Sequence, residues 1–243
     1  MRSLKLQIGI SGITGKMGQA IFRGLSKFPQ VELASSFSRS SGRLQELIAT
    51  SEVILDFSSP QNLSILLNAA KNHDVKLIIG TTGLTKEVEL AIEDLSKTHA
   101  ILYAPNMSLG VNIINNIISQ LAGKLFDDDF DAEIIDIHHK EKLDAPSGTA
   151  LMLASTIAKS YHRDFKDVVE TARLGKKRAG SVGISNVRVG GVIGEHHIIF
   201  ANELEQITVS HKALSRDVFA LQAIKAAIML HQKGPGLYSL TDL

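Results

Sequence analysis

The first hundred residues alternate short apolar strands with helices, and this alternation constrains the fold more than any other feature. Five strands are predicted, at residues 4–10, 31–37, 53–57, 76–79 and 100–103. Helices are predicted between them, at residues 17–26, 45–49, 63–72 and 86–97. Strands that alternate with helices of about 10 residues form a parallel sheet with right-handed crossovers. We therefore expect an α/β fold that contains a Rossmann-like parallel-sheet domain.

The pattern changes after residue 106. A long helix is predicted at 111–125, a strand at 132–138 and another helix at 149–159. Three segments, 183–188, 193–201 and 205–212, then alternate apolar and polar residues, which indicates a mixed or antiparallel sheet. An amphipathic helix at 219–230 is expected to return to the first domain. We expect residues 1–108 plus 217–243 to form the dinucleotide-binding domain, and residues 109–216 to form an α+β domain for substrate binding and oligomerisation.

Three glycines, Gly12, Gly15 and Gly18, lie between the first strand and the first helix. Glycine permits a tight turn and a close approach of the backbone to a pyrophosphate, and the free N–H groups of a helix start attract the anion. The spacing differs from the common G-x-G-x-x-G, so a glycine-rich turn without a ligand is the alternative. The strand–turn–helix context is the one that a nucleotide site requires.

The end of the second strand indicates which nucleotide is preferred. Folds that bind NAD place Asp or Glu there, against the ribose 2′-hydroxyl, whereas this strand is followed by Ser38, Arg39 and Ser40. A guanidinium can pair with a 2′-phosphate. We therefore predict a preference for NADPH, with NADH as a possible second cofactor. The alternative is that Arg39 is a solvated loop charge.

The segment 138–150 reads His-His-Lys-Glu-Lys-Leu-Asp-Ala-Pro-Ser-Gly-Thr-Ala and is rich in proton donors. A histidine such as His138 can act as a general acid, and the ammonium of Lys142 can donate a proton or hold a carboxylate. Residues 147–149 lie where a helix is predicted to begin, so their N–H groups can receive a carboxylate. The segment predicts a small anionic substrate that must be protonated. The alternative is a solvated histidine pair beside an ordinary helix cap.

A metal site is a further option, because His196 and His197 form a second histidine pair. Adjacent residues on a strand point to opposite faces, however, so the pair cannot share one ion. No carboxylate accompanies the histidines at the spacing of a metal-ligand motif. We therefore expect no metal site.

Composition excludes several classes of protein. The chain of 243 residues has no cysteine, which excludes disulfides, thiol nucleophiles and thiolate metal ligands. Its net charge of +1 gives no general attraction to nucleic acid or to anionic membranes, and the basic run at 173–178 is expected to be a solvated or ligand-facing loop. The sequence has neither the roughly 18-residue apolar run of a membrane span nor the apolar core of a signal peptide. We expect a cytoplasmic protein.

These segments together resemble the 4-hydroxy-tetrahydrodipicolinate reductase (dihydrodipicolinate reductase) family of the diaminopimelate route to lysine. The matching segments follow one another along nearly the whole chain, at 12–18, 55–58, 80–83, 104–108, 138–150, 180–183, 194–196 and 211–216. The pattern His-His-x-x-Lys-x-Asp-Ala-Pro-Ser-Gly-Thr-Ala is highly specific to that family.

The resemblance implies an oxidoreductase that reduces 4-hydroxy-tetrahydrodipicolinate to tetrahydrodipicolinate with NADPH or NADH, assembled as a homotetramer. It implies that His138 is the catalytic acid/base, that Lys142 donates a proton, that His139 contacts the substrate, and that Gly148 and Thr149 hold a substrate carboxylate. Contacts to the cofactor are implied at Gly12, Ile13, Thr14, Gly15, Lys16, Met17, Arg39, Gly80, Thr81, Thr82, Ala104, Pro105, Asn106 and Met107.

The sequence departs from the family pattern at a few points. Position 38 is Ser where many members that use NADH carry Glu, which weakens NADH binding. The segment 40–52 is short, so surface helices there are expected to be trimmed, and no function is assigned to Ser59. Two alternatives stay open: another two-domain NAD(P)-dependent reductase of amino-acid metabolism, and a nucleotide-sensing module without catalytic chemistry.

Overall fold

The computed structural model describes residues 5–243, which divide into two compact units. Unit 1 consists of Met1–Leu109 and Asp217–Leu243, and unit 2 consists of Gly110–Arg216. Leu4, the predicted first residue of the first strand, lies outside the described residues. The roles expected for the two parts of the chain remain predictions.

Unit 1 begins with five strands and four helices in alternation. They are β1 (Leu6–Ser11), α1 (Lys16–Gly24), β2 (Val31–Phe37), α2 (Leu44–Thr50), β3 (Val53–Asp56), α3 (Pro60–Ala70), β4 (Lys76–Ile79), α4 (Lys86–Ser96) and β5 (Ala100–Tyr103). The predicted alternation is confirmed, although α3 begins earlier than expected. The reason is a helix cap: the Ser59 side chain accepts a hydrogen bond from the Asn62 amide, and Pro60 suits the first turn.

The chain then builds unit 2 and finally returns to unit 1. The elements are α5 (Leu109–Asp127), β6 (Asp131–His138), α6 (Gly148–Ser160), α7 (Phe165–Val168), β7 (Val169–Glu170), β8 (Val182–Arg188), β9 (Glu195–Ala201), β10 (Gln206–Lys212), α8 (Asp217–Leu230) and β11 (Gly236–Tyr238). The elements α7, β7 and β11 are not predicted by the sequence patterns. Elements of two to four residues are too short to show a hydrophobic period.

The sheet of unit 1 is parallel throughout, in the order β11-β5-β4-β3-β1-β2. Its strands are apolar on both sides, and Ile8, Ile54 and Ile78 are fully buried. Residues of α1 and α8 pack in one core cluster, and residues of α2, α3 and α4 pack in another. Each fully buried side chain of this size stabilises the folded state by about 1.5–3 kcal/mol. The two helix layers therefore stabilise the sheet from both faces.

The strand order also locates the expected ligand crevice. The strand β1 lies between β2 and β3. The connection from β1 to β2 and the connection from β2 to β3 therefore run in opposite directions along the sheet. In open parallel sheets, ligands bind outside the carboxyl ends of the strands at such a switch point. The glycine-rich turn follows Ser11, the last residue of β1, and therefore lies at this position.

The sheet of unit 2 is mixed, as predicted, in the order β10-β9-β6-β8-β7. The strand β6 pairs in parallel with β8 and antiparallel with β9. Along β6 the even-numbered residues, from Ala132 to His138, are buried, whereas the odd-numbered ones are partly exposed. The buried face packs on α5 and α6 through side chains such as Ile118 and Leu153. Asp136 and His138 thus point inward.

Within residues 5–243, no helix has both the length and the apolar character needed to cross a membrane.

Candidate active site

The glycine turn of unit 1 is a close-packed cradle with no room for side chains. Gly12 has φ of 87°, and a Cβ atom there would lie 2.4 Å from the carbonyl oxygen of Phe57. A Cβ atom at Gly18 would lie 2.3 Å from the Gly12 oxygen. Gly15 is the N-cap of α1 and provides no side-chain cap, so the first N–H groups of that helix are not covered by a capping side chain. The backbone of residues 12–17 therefore suits a pyrophosphate.

The predicted cofactor residues after β4 are tied to the end of β3. Asp56 is fully buried, and its carboxylate accepts hydrogen bonds from Thr81 Oγ1 at 2.5 Å and Ser58 Oγ at 2.7 Å. The Ser58 amide in turn donates to Thr81 Oγ1 at 2.9 Å. Burial raises the pKa of Asp56, although these hydroxyl groups oppose the rise. The network fixes the loop of Gly80, Thr81 and Thr82 against the loop that follows β3.

The other predicted cofactor residues follow neighbouring strands at the same edge. Ala104 and Met107 are buried after β5, where the Ala104 amide donates to the Ile79 carbonyl at 3.1 Å. Pro105 is exposed, and Asn106 Oδ1 accepts a hydrogen bond from the Ser108 amide at 2.8 Å. The structure thus brings the residues after β1, β4 and β5 to one edge of the unit 1 sheet.

Arg39 is an exposed residue after β2. Its Nε donates to Asn62 Oδ1 and its second terminal nitrogen to Ser59 Oγ, both at 3.4 Å. These contacts are long and involve no carboxylate, so the guanidinium keeps its capacity to pair with a phosphate. Ser38 is buried, and its amide donates to the Ser41 carbonyl at 2.7 Å.

Unit 2 gathers its polar groups around the carboxylate of Asp136, which is fully buried. Its Oδ1 lies 2.7 Å from Ser147 Oγ, 3.0 Å from His138 Nδ1 and 3.2 Å from His196 Nε2. Its Oδ2 accepts from the Ser147 amide at 2.8 Å and from Arg188 at 3.0 Å. The geometry at His138 Nδ1 is not that of an aligned hydrogen bond, so this contact is a close polar approach.

These partners keep Asp136 ionised. Burial alone would raise its pKa, but the donors of His138, His196 and Ser147 outweigh burial and hold the pKa well below the ordinary range. Burying a charge away from water is unfavourable unless its lone pairs accept hydrogen bonds or lie against other charges, and here both oxygens of Asp136 have at least two partners. The carboxylate is therefore a fixed negative charge next to Nδ1 of His138.

Lys142 is held by a neighbouring carboxylate. Its Nζ lies 2.8 Å from Asp144 Oδ1, and this hydrogen bond lowers the pKa of Asp144. His139 is partly exposed, and loss of hydration together with the positive charge of Arg216 lowers its pKa. A neutral His139 can both donate and accept hydrogen bonds, which suits contact with a polar ligand.

Gly148 and Thr149 form the first turn of α6. Ser147 is the N-cap, and its Oγ accepts a hydrogen bond from the Ala150 amide at 3.1 Å. Gly148 is exposed, and a Cβ atom built there meets nothing within 4 Å. A helix start with open space beside it is a favourable place for a carboxylate.

The two halves of the chain match two family models that together span nearly its whole length. Residues 6–107 match the one described as "Dihydrodipicolinate reductase, N-terminus". Residues 110–243 match "Dihydrodipicolinate reductase, C-terminus". The chain belongs to the dihydrodipicolinate reductase family.

Individual members agree with this assignment. A 4-hydroxy-tetrahydrodipicolinate reductase from Rickettsia bellii (strain OSU 85-389) is 41% identical over 241 residues, covering 98% of this chain and 94% of that protein. One from Clostridium novyi (strain NT) is 36% identical over 245 residues, covering 96% of each. A dipicolinate-bound dihydrodipicolinate reductase from Paenisporosarcina sp. TG-14 has a TM-score of 0.78 at 25% identity, covering 98% of this chain and 100% of that one.

Asp136, the centre of this reductase's polar cluster, is not among the site residues predicted from the sequence. The spacing along the sequence shows no carboxylate clustered with the histidines, whereas the fold brings Asp136 beside His138 and His196. Asp136 and His196 are direct cross-strand partners on β6 and β9, a relation that spacing along the chain does not reveal. The sequence does contain one indication of this role, because Asp136 is an acidic residue at an inward-facing position of an alternating strand.

The cluster around Asp136 contains side chains that can act as metal ligands. One ligand atom from each of Asp136, His138 and His196 lies within 4.8 Å of the others, a spacing that could hold an ion. The carboxylate already accepts from Ser147 and from the positive guanidinium of Arg188. Direct polar contacts thus account for the arrangement, and we assign no ion to it.

We expect Asp136 to make the stability of this reductase depend on acid. Its folded pKa lies below the ordinary 3.8, so its ionised form stabilises the fold fully above that value, and the stabilisation is lost as the pH falls further. Asp136→Asn should lower the free energy of unfolding by about 3 kcal/mol at neutral pH, because donors lose a charged acceptor. Its deficit relative to wild type should shrink below about pH 4.

Urea unfolding followed by circular dichroism across this pH range measures the effect. Asp131→Asn, at the exposed start of the same strand, is the matched control and should track the wild type. A deficit of Asp136→Asn that stays constant down to the lowest pH would contradict the assignment of an ionised carboxylate.

Proposed function

We propose that this protein reduces 4-hydroxy-tetrahydrodipicolinate to tetrahydrodipicolinate with a reduced nicotinamide nucleotide. Its relatives are named as reductases of 4-hydroxy-tetrahydrodipicolinate. The observation that carries the proposal is the grouping of His138, Lys142 and the start of α6 within unit 2 of a chain that matches the family from end to end. A cytoplasmic location, expected from the sequence, is part of the proposal.

The residues of unit 2 suit a small ring that carries two carboxylates and a hydroxyl at C4. The N–H groups at Gly148 and Thr149 would bind one carboxylate at the positive end of α6. Lys142 would exchange Asp144 for the substrate as its anionic partner. His138 would transfer protons as water leaves C4 and the ring is reduced, and His139 would hydrogen-bond the substrate.

Unit 1 suits the cofactor, because its cradle is one that a Cβ atom would fill. The backbone from Gly12 to Met17 would hold the pyrophosphate, and the loops at Gly80–Thr82 and Ala104–Met107 would line the rest of the site. When bound, the nicotinamide supplies the hydride. We propose that NADPH is preferred over NADH, because Arg39 is exposed and its side-chain contacts among the described residues are to Asn62 and Ser59 rather than to a carboxylate.

The double variant His138→Gln/Lys142→Met tests the proposed chemistry. Turnover should fall by about 1,000-fold, because two proton-transferring groups are lost together. The Kd for NADPH should stay unchanged, because both residues lie in unit 2 and the glycine cradle lies in unit 1. The assay follows NADPH oxidation at the nicotinamide absorbance, with substrate made in the cuvette from pyruvate and aspartate semialdehyde by the upstream synthase.

The wild-type protein gives the control for this assay. Oxidation that requires the synthase supports the proposed reaction, and full turnover by the double variant would refute the roles of the two residues. Binding of NADPH by the wild type without oxidation would favour the nucleotide-sensing alternative. Oxidation with a different amino-acid precursor would favour another reductase.

Replacement of Arg39 tests the choice of cofactor. Arg39→Gln should raise the KM for NADPH by about 10- to 100-fold, because a charge-assisted bond to the 2′-phosphate is lost, and should leave the KM for NADH near its wild-type value. Arg23→Gln, an exposed arginine on α1, removes the same charge elsewhere in unit 1. Equal changes in both KM values, or no change, would refute a role for Arg39 in recognising the phosphate.

We also propose a homotetramer assembled through the sheet of unit 2. The face of that sheet opposite α5 and α6 carries Ile135, Ile137, Val187 and Ile199, all of which are partly exposed in the single chain. Apolar side chains at these positions, with polar neighbours such as Glu133 and His197 between them, fit a subunit contact of mixed character. Strand edges at β10 and β7 are also unpaired within the described chain.

Light scattering after gel filtration should give a mass near four times 26.3 kDa. Ile199→Lys should shift the mass toward smaller species, because it places a charge in the apolar face. Leu204→Lys, in the exposed turn between β9 and β10, is the control and should leave the mass unchanged. A wild-type monomer would refute the assembly.

A further inference from the structure

Two functional groups of unit 2 are attached to one buried carboxylate. His138 contacts Asp136 through Nδ1, and the residue that begins α6 contacts it through both its amide and its hydroxyl. We propose that Asp136 is a positioning residue that sets the orientation and tautomer of His138 and, through Ser147, the position of the carboxylate-binding turn of α6. The inference rests on the proposed reduction and deepens it.

Asp136 sets the tautomer of the His138 imidazole. A carboxylate 3.0 Å from Nδ1 favours the proton on that nitrogen, which leaves Nε2 as the atom that can exchange a proton with a ligand. Nε2 lies on the opposite edge of the ring, and Gly194 makes space there, because a Cβ atom at position 194 would come within 3.0 Å of it. The ring edge that faces away from Asp136 is therefore the reactive edge.

Asp136 also holds the start of α6 through Ser147. The Ser147 hydroxyl donates to Asp136 Oδ1 and accepts from the Ala150 amide, so a single side chain bonds both the carboxylate and the helix. The Ser147 amide donates to Oδ2 at 2.8 Å. Gly148 and Thr149 follow directly in the chain. Their N–H groups are therefore held at a fixed place relative to His138.

Arg188 adds a third connection. It bonds Asp136 Oδ2 at 3.0 Å, and the same terminal nitrogen donates to the Asp144 carbonyl at 2.8 Å, in the loop that carries Lys142. Every group that contacts the Asp136 carboxylate is a donor, namely two imidazoles, a hydroxyl, an amide and a guanidinium. An amide side chain would present its NH₂ to one of these donors, so the site requires a carboxylate.

Asp136→Asn is the first test, with Asp131→Asn as the matched control on the same strand. We expect kcat to fall by about 100-fold, near the lower end of what a general acid contributes, and the KM for the substrate to rise, while the Kd for NADPH stays unchanged. Ser147→Ala removes the hydroxyl contacts to Asp136, His196 and the Ala150 amide but keeps the backbone amide bond to Asp136, so its effect should be smaller and fall mainly on KM. Wild-type kcat in Asp136→Asn, or an equal loss in Asp131→Asn, would overturn the inference.

A second measurement needs no variant at Asp136 and no turnover. Imidazole ¹⁵N chemical shifts of the wild-type protein report which nitrogen carries the proton, and the signals of His138 are assigned by their loss in His138→Gln. We expect neutral His138 to carry its proton on Nδ1, and a proton on Nε2 would overturn the inference. A wild type with the Nδ1 tautomer but no reductase activity would instead refute the proposed function alone.

Discussion

The site of unit 2 depends on one buried negative charge. Asp136 lies on the inward face of β6, and five donors from three strands and a helix start converge on it. An isolated carboxylate in this position would be protonated or would destabilise the fold, whereas a fully paired one fixes every group that it contacts. Stability and the geometry of the proposed reaction centre therefore have the same origin.

Much of the fold could be predicted from hydrophobic patterning. Strands such as β2, β4 and β5 have the predicted bounds, because short apolar runs between turn residues leave few alternatives. The mixed sheet of unit 2 followed from alternation in β6, β8 and β9. The strand β11 could not be found, because three residues gain their conformation only by pairing with β5. Tertiary pairing rather than local preference decides such an element.

The candidate site divides in the same way. His138, Lys142 and the start of α6 could be proposed because they lie in one segment with a distinctive order. Asp136, His196 and Arg188 could not be joined to them by spacing, because strand register creates that contact. The parallel pairing sets Arg188 opposite His138, and the antiparallel pairing sets His196 opposite Asp136. The strand register must therefore be known before these contacts can be predicted from the sequence.

The division of unit 1 into two chain segments affects the order in which the protein can be assembled during synthesis. The helix α8 covers one face of the unit 1 sheet, and β11 pairs with the edge of β5, yet both are made after all of unit 2. Until they emerge, that face and that edge stay open to solvent and to other chains. Unit 2 is continuous and can fold first, whereas unit 1 is complete only after α8 and β11 have been made.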